Sequence, residues 1–347
     1  MAQRGFSLIE LMIALLISSI LVLGMVQVFA ASRNAYRLSE GVSRAQENSR
    51  FAMDFLQRDL RMAGHFGCIN DRVRLQSAGR LVSHFATGGV LDFANSIRGY
   101  DNEAPLGLTL IPERVAGTDT LVLRFLGSTG VPVTRIDRSN LSMSVVEVDP
   151  AKWSRLSEEG DGASALFGVA DCVFADVFSA QKVSARNGQL AAPASVDLER
   201  YGVGLQGGLA QLYRAHAWVY YIGVGTSGQR ALFRARIGVD GRARGEELVE
   251  GIEDLQFRYG MDSSVAGDSS GTIAFQGRAV DVGSTDLAWR RVSQVQMGFI
   301  AASPMSANAL QVRSLDVLGH SVTPAGDGRF RAVYVNTIAL RNRLHGN

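Results

Sequence analysis

The sequence predicts an α+β protein, with one long N-terminal α-helix packed on an antiparallel β-sheet head domain. Three observations carry that reading. An uncharged apolar run over residues 11–32 passes directly into a charged segment whose apolar residues keep three- and four-residue spacing. No proline interrupts the chain before Pro105. Beyond it, short segments of alternating polarity are separated by glycines, and 38 Gly against 7 Pro point to glycine-made turns.

The helix comes first. A bilayer crossing takes about 20 apolar residues, and the 11–32 run has that length. A cleaved secretory signal would have a shorter apolar core and then a small-x-small site. Here Phe29, Ala30 and Ala31 lead into Arg33, Asn34, Ala35 and Tyr36 with helical residues throughout, so the apolar segment is expected to be retained. Arg4 precedes it and Arg33, Arg37 and Arg44 follow it, so the basic residues leave its orientation open. Past the span, Ala45, Ala52, Leu56, Leu60 and Ala63 form an apolar stripe, with Arg44, Glu47, Arg50, Asp54, Arg58 and Asp59 on the other faces. The stripe is too short for a coiled coil. Gly64 is placed to cap the helix C-terminus. A helix from about Phe6 to Ala63 would be roughly 85 Å long. Gly24 and Gly41 are the points where it would bend most easily.

The head reads as strands. Residues 121–126 form a short, mostly apolar strand, and residues 141–145 alternate. Segments 216–224 and 231–237 flank Gly225, Thr226, Ser227 and Gly228 as a hairpin, with Phe233, Ala235 and Ile237 inward and Arg234 and Arg236 toward water. Leu255, Phe257 and Tyr259 alternate with Gln256 and Arg258, and Val295, Met297 and Phe299 with Gln294, Gln296 and Gly298. The last strand is expected over about residues 330–340. Residues of about 150–215 read as a loop-rich insert around Cys172, and 260–271 as a flexible link. Cys68 and Cys172, the only cysteines, fit one disulfide in an oxidising compartment, with two free thiols as the alternative. The disulfide reading favours export of the C-terminal part.

Composition and motifs bear on the class of function. A formal net charge of +2 gives no general case for nucleic acid as a partner. Residues 267–271, Gly-Asp-Ser-Ser-Gly, match G-x-S-x-G, with Asp281 and His320 downstream, and would make Ser269 the nucleophile of a membrane-tethered hydrolase. A nucleophile elbow needs a strand before it and a helix after it, whereas 261–270 is polar and turn-like. Residues 202–207 match G-x-G-x-x-G, but no βαβ unit surrounds them and residues 225–230 hold no acid. His65, His84, His216, His320 and His345 form no H-E-x-x-H and sit at no zinc spacing from a cysteine. Glu158, Glu159 and Asp161 lack EF-hand spacing. No catalytic residue, metal or cofactor is expected.

Glu10 stands inside the apolar stretch, one turn from its start. A carboxylate there costs roughly 2.5–3.5 kcal/mol on insertion scales unless it is paired or near the interface. Ser7 and Glu10 fit a capping box, in which Glu10 closes the helix N-terminus. The run Gly5, Phe6, Ser7, Leu8, Ile9, Glu10 behind a short basic leader also resembles the prepilin signature. That resemblance implies a prepilin peptidase cutting between Gly5 and Phe6 and methylating the new Phe6 amine. It implies Glu10 as counter-charge to such an amine in an apolar fibre core, setting the register of one subunit on the next. Opposite charges attract strongly at low dielectric, although desolvation takes back much of the gain.

Three further segments are similar to PilW-type minor pilins. They are residues 50–68, from Arg50-Phe51-Ala52 to Phe66-Gly67-Cys68; residues 249–260, from Val249-Glu250-Gly251 to Tyr259-Gly260; and residues 333–343, from Val333-Tyr334-Val335 to Arg343. The J-type pseudopilins of type II secretion share the pattern but are typically shorter, so this length favours the pilus branch. The resemblance implies a pilin-like fold with a leader (1–5), a transmembrane and fibre-core half-helix (6–32), an amphipathic half-helix (33–64) and a periplasmic β-rich head (65–347). It implies a low-copy minor pilin rather than an enzyme, one that helps start pilus assembly near the tip. Its partners would be the peptidase, other minor pilins, the major pilin and often a large tip adhesin. It would sit in the bacterial inner membrane with its head in the periplasm, then in the pilus at the cell surface, serving twitching, adhesion or DNA uptake. Residues 70–248 resemble nothing further.

Overall fold

Helix-forming residues run without a breaker from Leu8, and in the computed structural model they make a single α-helix, Leu8–Met62, of 55 residues. The structure describes residues 7–68, 80–102, 104–140, 142–157, 165–203, 210–263, 271–310 and 314–344. Ser7 caps the helix at its start and Ala63 at its end. Gly64 follows with φ +81°, the left-handed conformation by which glycine stops a helix. The buried stripe is the expected one: Ala45, Ala52, Leu56, Leu60 and Ala63 are inaccessible to solvent. Gly41, Ser49 and Asp59 are buried with it, so Asp59, expected on another face, lies on the stripe instead. Gly41 is therefore a packing position rather than a bending point. A Cβ there would lie 2.7 Å from the Ala307 Cβ, so glycine is what lets residues 303–307 press against the helix.

The largest sheet is organised by the 14-residue strand Gln211–Val224. It pairs antiparallel with Val131–Asp137 and Leu166–Ala170 near its start, with Thr120–Leu126 in the middle and with Arg230–Ile237 at its end. The hairpin around residues 225–228 forms as expected, with Val224 opposite Arg230. Successive side chains of the long strand enter two different cores, the consequence of a period of two in a strand buried on both faces. Tyr213, Ala215, Ala217, Val219 and Tyr221 point into one core. Tyr220 and Ile222 point into the other, which lies under the helix. That core joins Ala52, Leu56 and Leu60 of the helix to Leu255, Phe257, Met297 and Phe299 of a second sheet. The second sheet has four strands in the order Ile273–Gly277, Ile252–Asp262, Val292–Ala302, Arg331–Ala339. The C-terminal half of the helix lies on the last two of these strands and on Arg242–Glu250.

Four further expectations need correction. Arg234 and Arg236 are half-buried, not turned to water: both lie over the Trp218 ring, and Arg234 also reaches Asp59 on the helix. Gln256 is buried, and its amide donates to the Gly117 carbonyl and to Asp254, both at 2.9 Å. The stretch of about 150–215, expected to be loop-rich, carries the strands Leu166–Ala170, Ala175–Ser179, Lys182–Ser184 and Gln189–Pro193. These pack Phe167, Phe178 and Leu190 with Trp153 into a third core. Strands of three to five residues are too short to show a period against a background of small and polar residues. Finally, the link expected from 260 to 271 begins later, since Ile252–Asp262 runs on as strand; residues 264–270 lie outside the described ones.

Candidate assembly site

The N-terminal half of the helix packs on nothing within the chain. Every large apolar side chain from Leu8 to Phe29 is exposed, on all sides of the helix. A helix that is apolar all round belongs in lipid or inside a larger protein assembly. From Leu8 to Ser32 it is roughly 37 Å long, enough for a hydrocarbon layer of about 30 Å. It is the one described helix long and apolar enough to cross a membrane.

Glu10 sits in the first turn of this helix, facing outward. Its Oε2 accepts from the Ser7 amide at 2.9 Å and from the Ser7 hydroxyl at 3.0 Å. The Glu10 amide donates back to Ser7 Oγ at 3.3 Å. The capping box is therefore formed. Gly5 and Phe6, the expected cleavage and methylation positions, lie outside the described residues.

The C-terminal half of the helix is seated by polar contacts at several levels. Asn34 Oδ1 accepts from Asn308 Nδ2 at 3.0 Å. Asn48 Nδ2 donates to the Glu250 carbonyl at 2.9 Å. Asn342 Nδ2 donates to the Arg61 carbonyl at 2.8 Å. Between the last two, Asp59 accepts the Tyr220 hydroxyl proton and pairs with Arg234 Nη1 at 3.2 Å. Burial, helped by the carboxylate of Asp59, holds the Tyr220 hydroxyl well above its ordinary range. Just past the helix, Cys68 is disulfide-bonded to Cys172. Cys172 lies in the turn between Leu166–Ala170 and Ala175–Ser179, so the bond ties the helix end to the edge of the third core.

Comparison with known proteins falls on these same parts. Residues 1–26 match the prokaryotic N-terminal methylation motif, and residues 219–342 match the type IV pilus-assembly protein W family, so the family match begins inside the 70–248 stretch, expected to resemble nothing further. Both matches support a PilW-type type IV pilin. No curated protein and no solved structure matches the pilin. Within the pilin, the segment matched to the family contains the strands on which the helix lies, Val292–Ala302 and Arg331–Ala339, and the Arg234 that reaches Asp59.

Among the described residues the other motifs are not brought together into a site. The strands either side of Ser269, Ile252–Asp262 and Ile273–Gly277, pair with each other, so the G-x-S-x-G run links a hairpin instead of turning from strand into helix. Ser269 itself lies outside the described residues. Asp281 is occupied at the start of a short helix, accepting from the Arg278 amide at 2.9 Å. The G-x-G-x-x-G run, of which residues 204–207 are outside the described set, is followed by the strand Gln211–Val224 where a dinucleotide site needs a helix. His84 bonds Asp176 at 2.7 Å, and His216 stacks on Trp218 at 6.0 Å. Glu158, Glu159, Asp161 and His345 are outside the described residues. Among the described residues no group of three or more His, Cys, Asp or Glu is placed to hold a metal.

Sequence reasoning missed the Asp59, Tyr220 and Arg234 cluster in the pilin. A signal existed. Asp59 continues the spacing Ala52, Leu56, Asp59, Ala63, so a charge on the buried stripe called for a partner in the sheet.

Proposed function

We propose that this PilW-type pilin is a minor pilin, a low-abundance structural subunit that helps to start a type IV pilus and sits near its tip. On this reading a prepilin peptidase cuts between Gly5 and Phe6 and methylates the Phe6 amine. Glu10 then supplies the counter-charge to that amine within the fibre. The observation that carries the reading is the unpacked apolar half-helix, whose single charge is Glu10 and which lies mostly within the 1–26 match to the methylation motif. A helix with this surface is stable in the membrane before assembly and among the helices of other pilins afterwards. The head then lies in the periplasm, an orientation supported by the Cys68–Cys172 bond, since disulfides persist in oxidising compartments. The other minor pilins, the major pilin and a tip adhesin are the partners this role calls for.

Co-expression with a prepilin peptidase and mass spectrometry of the product test this directly. The expected product begins at a methylated Phe6. A product that still begins at Met1 under conditions where a known prepilin is processed overturns the proposal.

A further inference from the structure

The loop of residues 303–310 is built tightly yet displays apolar side chains. Ser303 Oγ donates to the Met305 carbonyl at 2.7 Å. The Ala307 and Ala309 amides both donate to the Gly328 carbonyl at 3.0 Å. The loop is clamped to the helix by the close approach at Gly41 and by the Asn308–Asn34 bond. Within this fixed frame Met305 is 72% and Leu310 96% exposed. A rigid loop that holds two large apolar side chains in the open exposes them to whatever lies at the same height along the helix.

That height is set by the helix. Asn34, to which the loop is bonded, follows Ser32, the last residue of the apolar run, by two positions, or about 3 Å of axial rise. Headgroup and interfacial layers add about 5–7 Å on each side of the hydrocarbon. With Ser32 at the hydrocarbon boundary, Arg33, Tyr36 and Arg37 stand in that layer, and so does the upper edge of the loop. These side chains suit it. Tyr36 is exposed, as interfacial aromatics are, and the Arg33 guanidinium lies 5.9 Å from the Phe29 ring, beside the apolar run. Arg33, Arg37 and Met305 also share an open cleft of about 1040 Å³ between the helix and the loop.

We propose that the 303–310 loop is a second membrane contact of this pilin. It rests the head on the anionic bilayer that its own helix enters, with Met305 and Leu310 at the interface and Arg33 and Arg37 on lipid phosphates. The proposal rests on the reading of the apolar half-helix as membrane-anchored. It commits to lipid because the loop is continuous with the point where the helix leaves the apolar span, and because the cleft beside it is lined by Arg33, Arg37 and Arg44 against Glu40 and Glu250, with both arginines nearest the span uncountered by an acid before Glu40 in the sequence. Two contacts fix the tilt of helix and head on the bilayer before assembly, which a single spanning helix would not do.

The full chain is reconstituted in vesicles of phosphatidylcholine with phosphatidylglycerol. The native cysteines are bonded to each other, so a single new thiol takes an environment-sensitive dye. Dye at Leu310→Cys is expected to be quenched by lipid carrying a nitroxide near the headgroup. Dye at Ile17→Cys, deep in the span, reports the anchoring itself through lipid carrying a nitroxide far down its acyl chain. Quenching at Ile17→Cys without quenching at Leu310→Cys leaves the anchor standing and overturns the second contact. Quenching at neither position removes both. Arg33→Gln and Arg37→Gln are each expected to weaken the docked population about fivefold in anionic vesicles, and to have no effect in phosphatidylcholine alone. Equal effects in both lipids overturn the assignment of the arginines to phosphate.

Discussion

Tyr220, on the central strand of the large sheet, gives its hydroxyl proton to Asp59, a carboxylate on the otherwise apolar face of the long helix. Arg234 on the neighbouring strand reaches the same carboxylate at 3.2 Å and lies 4.3 Å from the Trp218 ring. One acid thus joins the helix to two strands in a place where the surrounding contacts are apolar and carry little directional information. Asp59→Ala would leave the buried Tyr220 hydroxyl without its acceptor and Arg234 without its inner partner. The expected loss is about 2–4 kcal/mol, read as a lower denaturant midpoint of the full chain in detergent. Tyr220→Phe removes only the hydroxyl, so about 1 kcal/mol is expected. Equal losses for the two variants would refute the assignment of Asp59 as the shared acceptor.

The parts of this arrangement that obey a period were legible in the sequence. Ala45, Ala52, Leu56, Leu60 and Ala63 recur at helical spacing, and all are buried. Phe233, Ala235 and Ile237 alternate and face a core, and the glycine turn before them closes the expected hairpin. Glu10 stood out because a charge in an apolar run has a cost in any environment. What was not legible depends on how separate elements meet. Arg234 follows the alternation of a solvent-facing residue until a helix covers that face. Gly41 looks like a bending point until Ala307 comes within contact of it. The short strands around Phe167 and Phe178 form because neighbouring strands are already in place, not because their own pattern demands it.

Asp119 gives the head a dependence on pH. The carboxylate is buried and accepts from the amides of Phe257 at 2.9 Å and Asn102 at 3.1 Å. Burial pushes it up from 3.8 to about 6 against these hydrogen bonds, with Asp101 and Asp254 adding repulsion. Asp254, buried nearby, is raised for the same main reason. The folded chain therefore keeps a proton on Asp119 that the unfolded chain releases near 3.8. Its contribution to stability is fully present below 3.8 and is lost as pH rises through about 6. The size is at most about 3 kcal/mol. Asp327 works in the other direction. Its hydrogen bonds to Arg331 hold it at about 2, so it contributes above 3.8 and fails only as pH falls through about 2. Between the two windows the chain is expected to be more stable at about pH 4.5 than at about pH 7. Asp119→Asn should flatten that difference, measured as the denaturant midpoint at each pH. An unchanged slope would show that Asp119 is ionised in the fold.

The Cys68–Cys172 bond closes a loop with a sequence separation of 104. In the chain-entropy description a loop of that size contributes on the order of 4–5 kcal/mol by restricting the unfolded chain. The loop contains more than a third of the head, including Thr120–Leu126 and Val131–Asp137, so its closure acts on folding and not only on the helix end. Cys172→Ser, and wild type under strong reductant, should therefore unfold at a markedly lower midpoint and by similar amounts. A variant as stable as the oxidised wild type would show that the bond contributes little.

Glu10 has two candidate roles, and they make opposite demands on the side chain. As a cap it needs an oxygen for the Ser7 amide, which a glutamine also offers. As the partner of a cationic Phe6 amine it needs charge, which a glutamine lacks. Ser7→Ala does the reverse of Glu10→Gln. It removes the acceptor of the Glu10 amide, at a cost of about 1 kcal/mol, and leaves the carboxylate in place. In cells that assemble type IV pili, Glu10→Gln should therefore abolish incorporation of this subunit while the protein remains processed and membrane-bound. Ser7→Ala should be incorporated nearly as wild type. The opposite ranking, with Ser7→Ala defective and Glu10→Gln normal, would reduce Glu10 to a helix cap. Immunoblots of sheared pili against whole-cell membranes read both variants in one experiment. The head supplies an internal control: both substitutions are remote from its cores, so its protease resistance should not change.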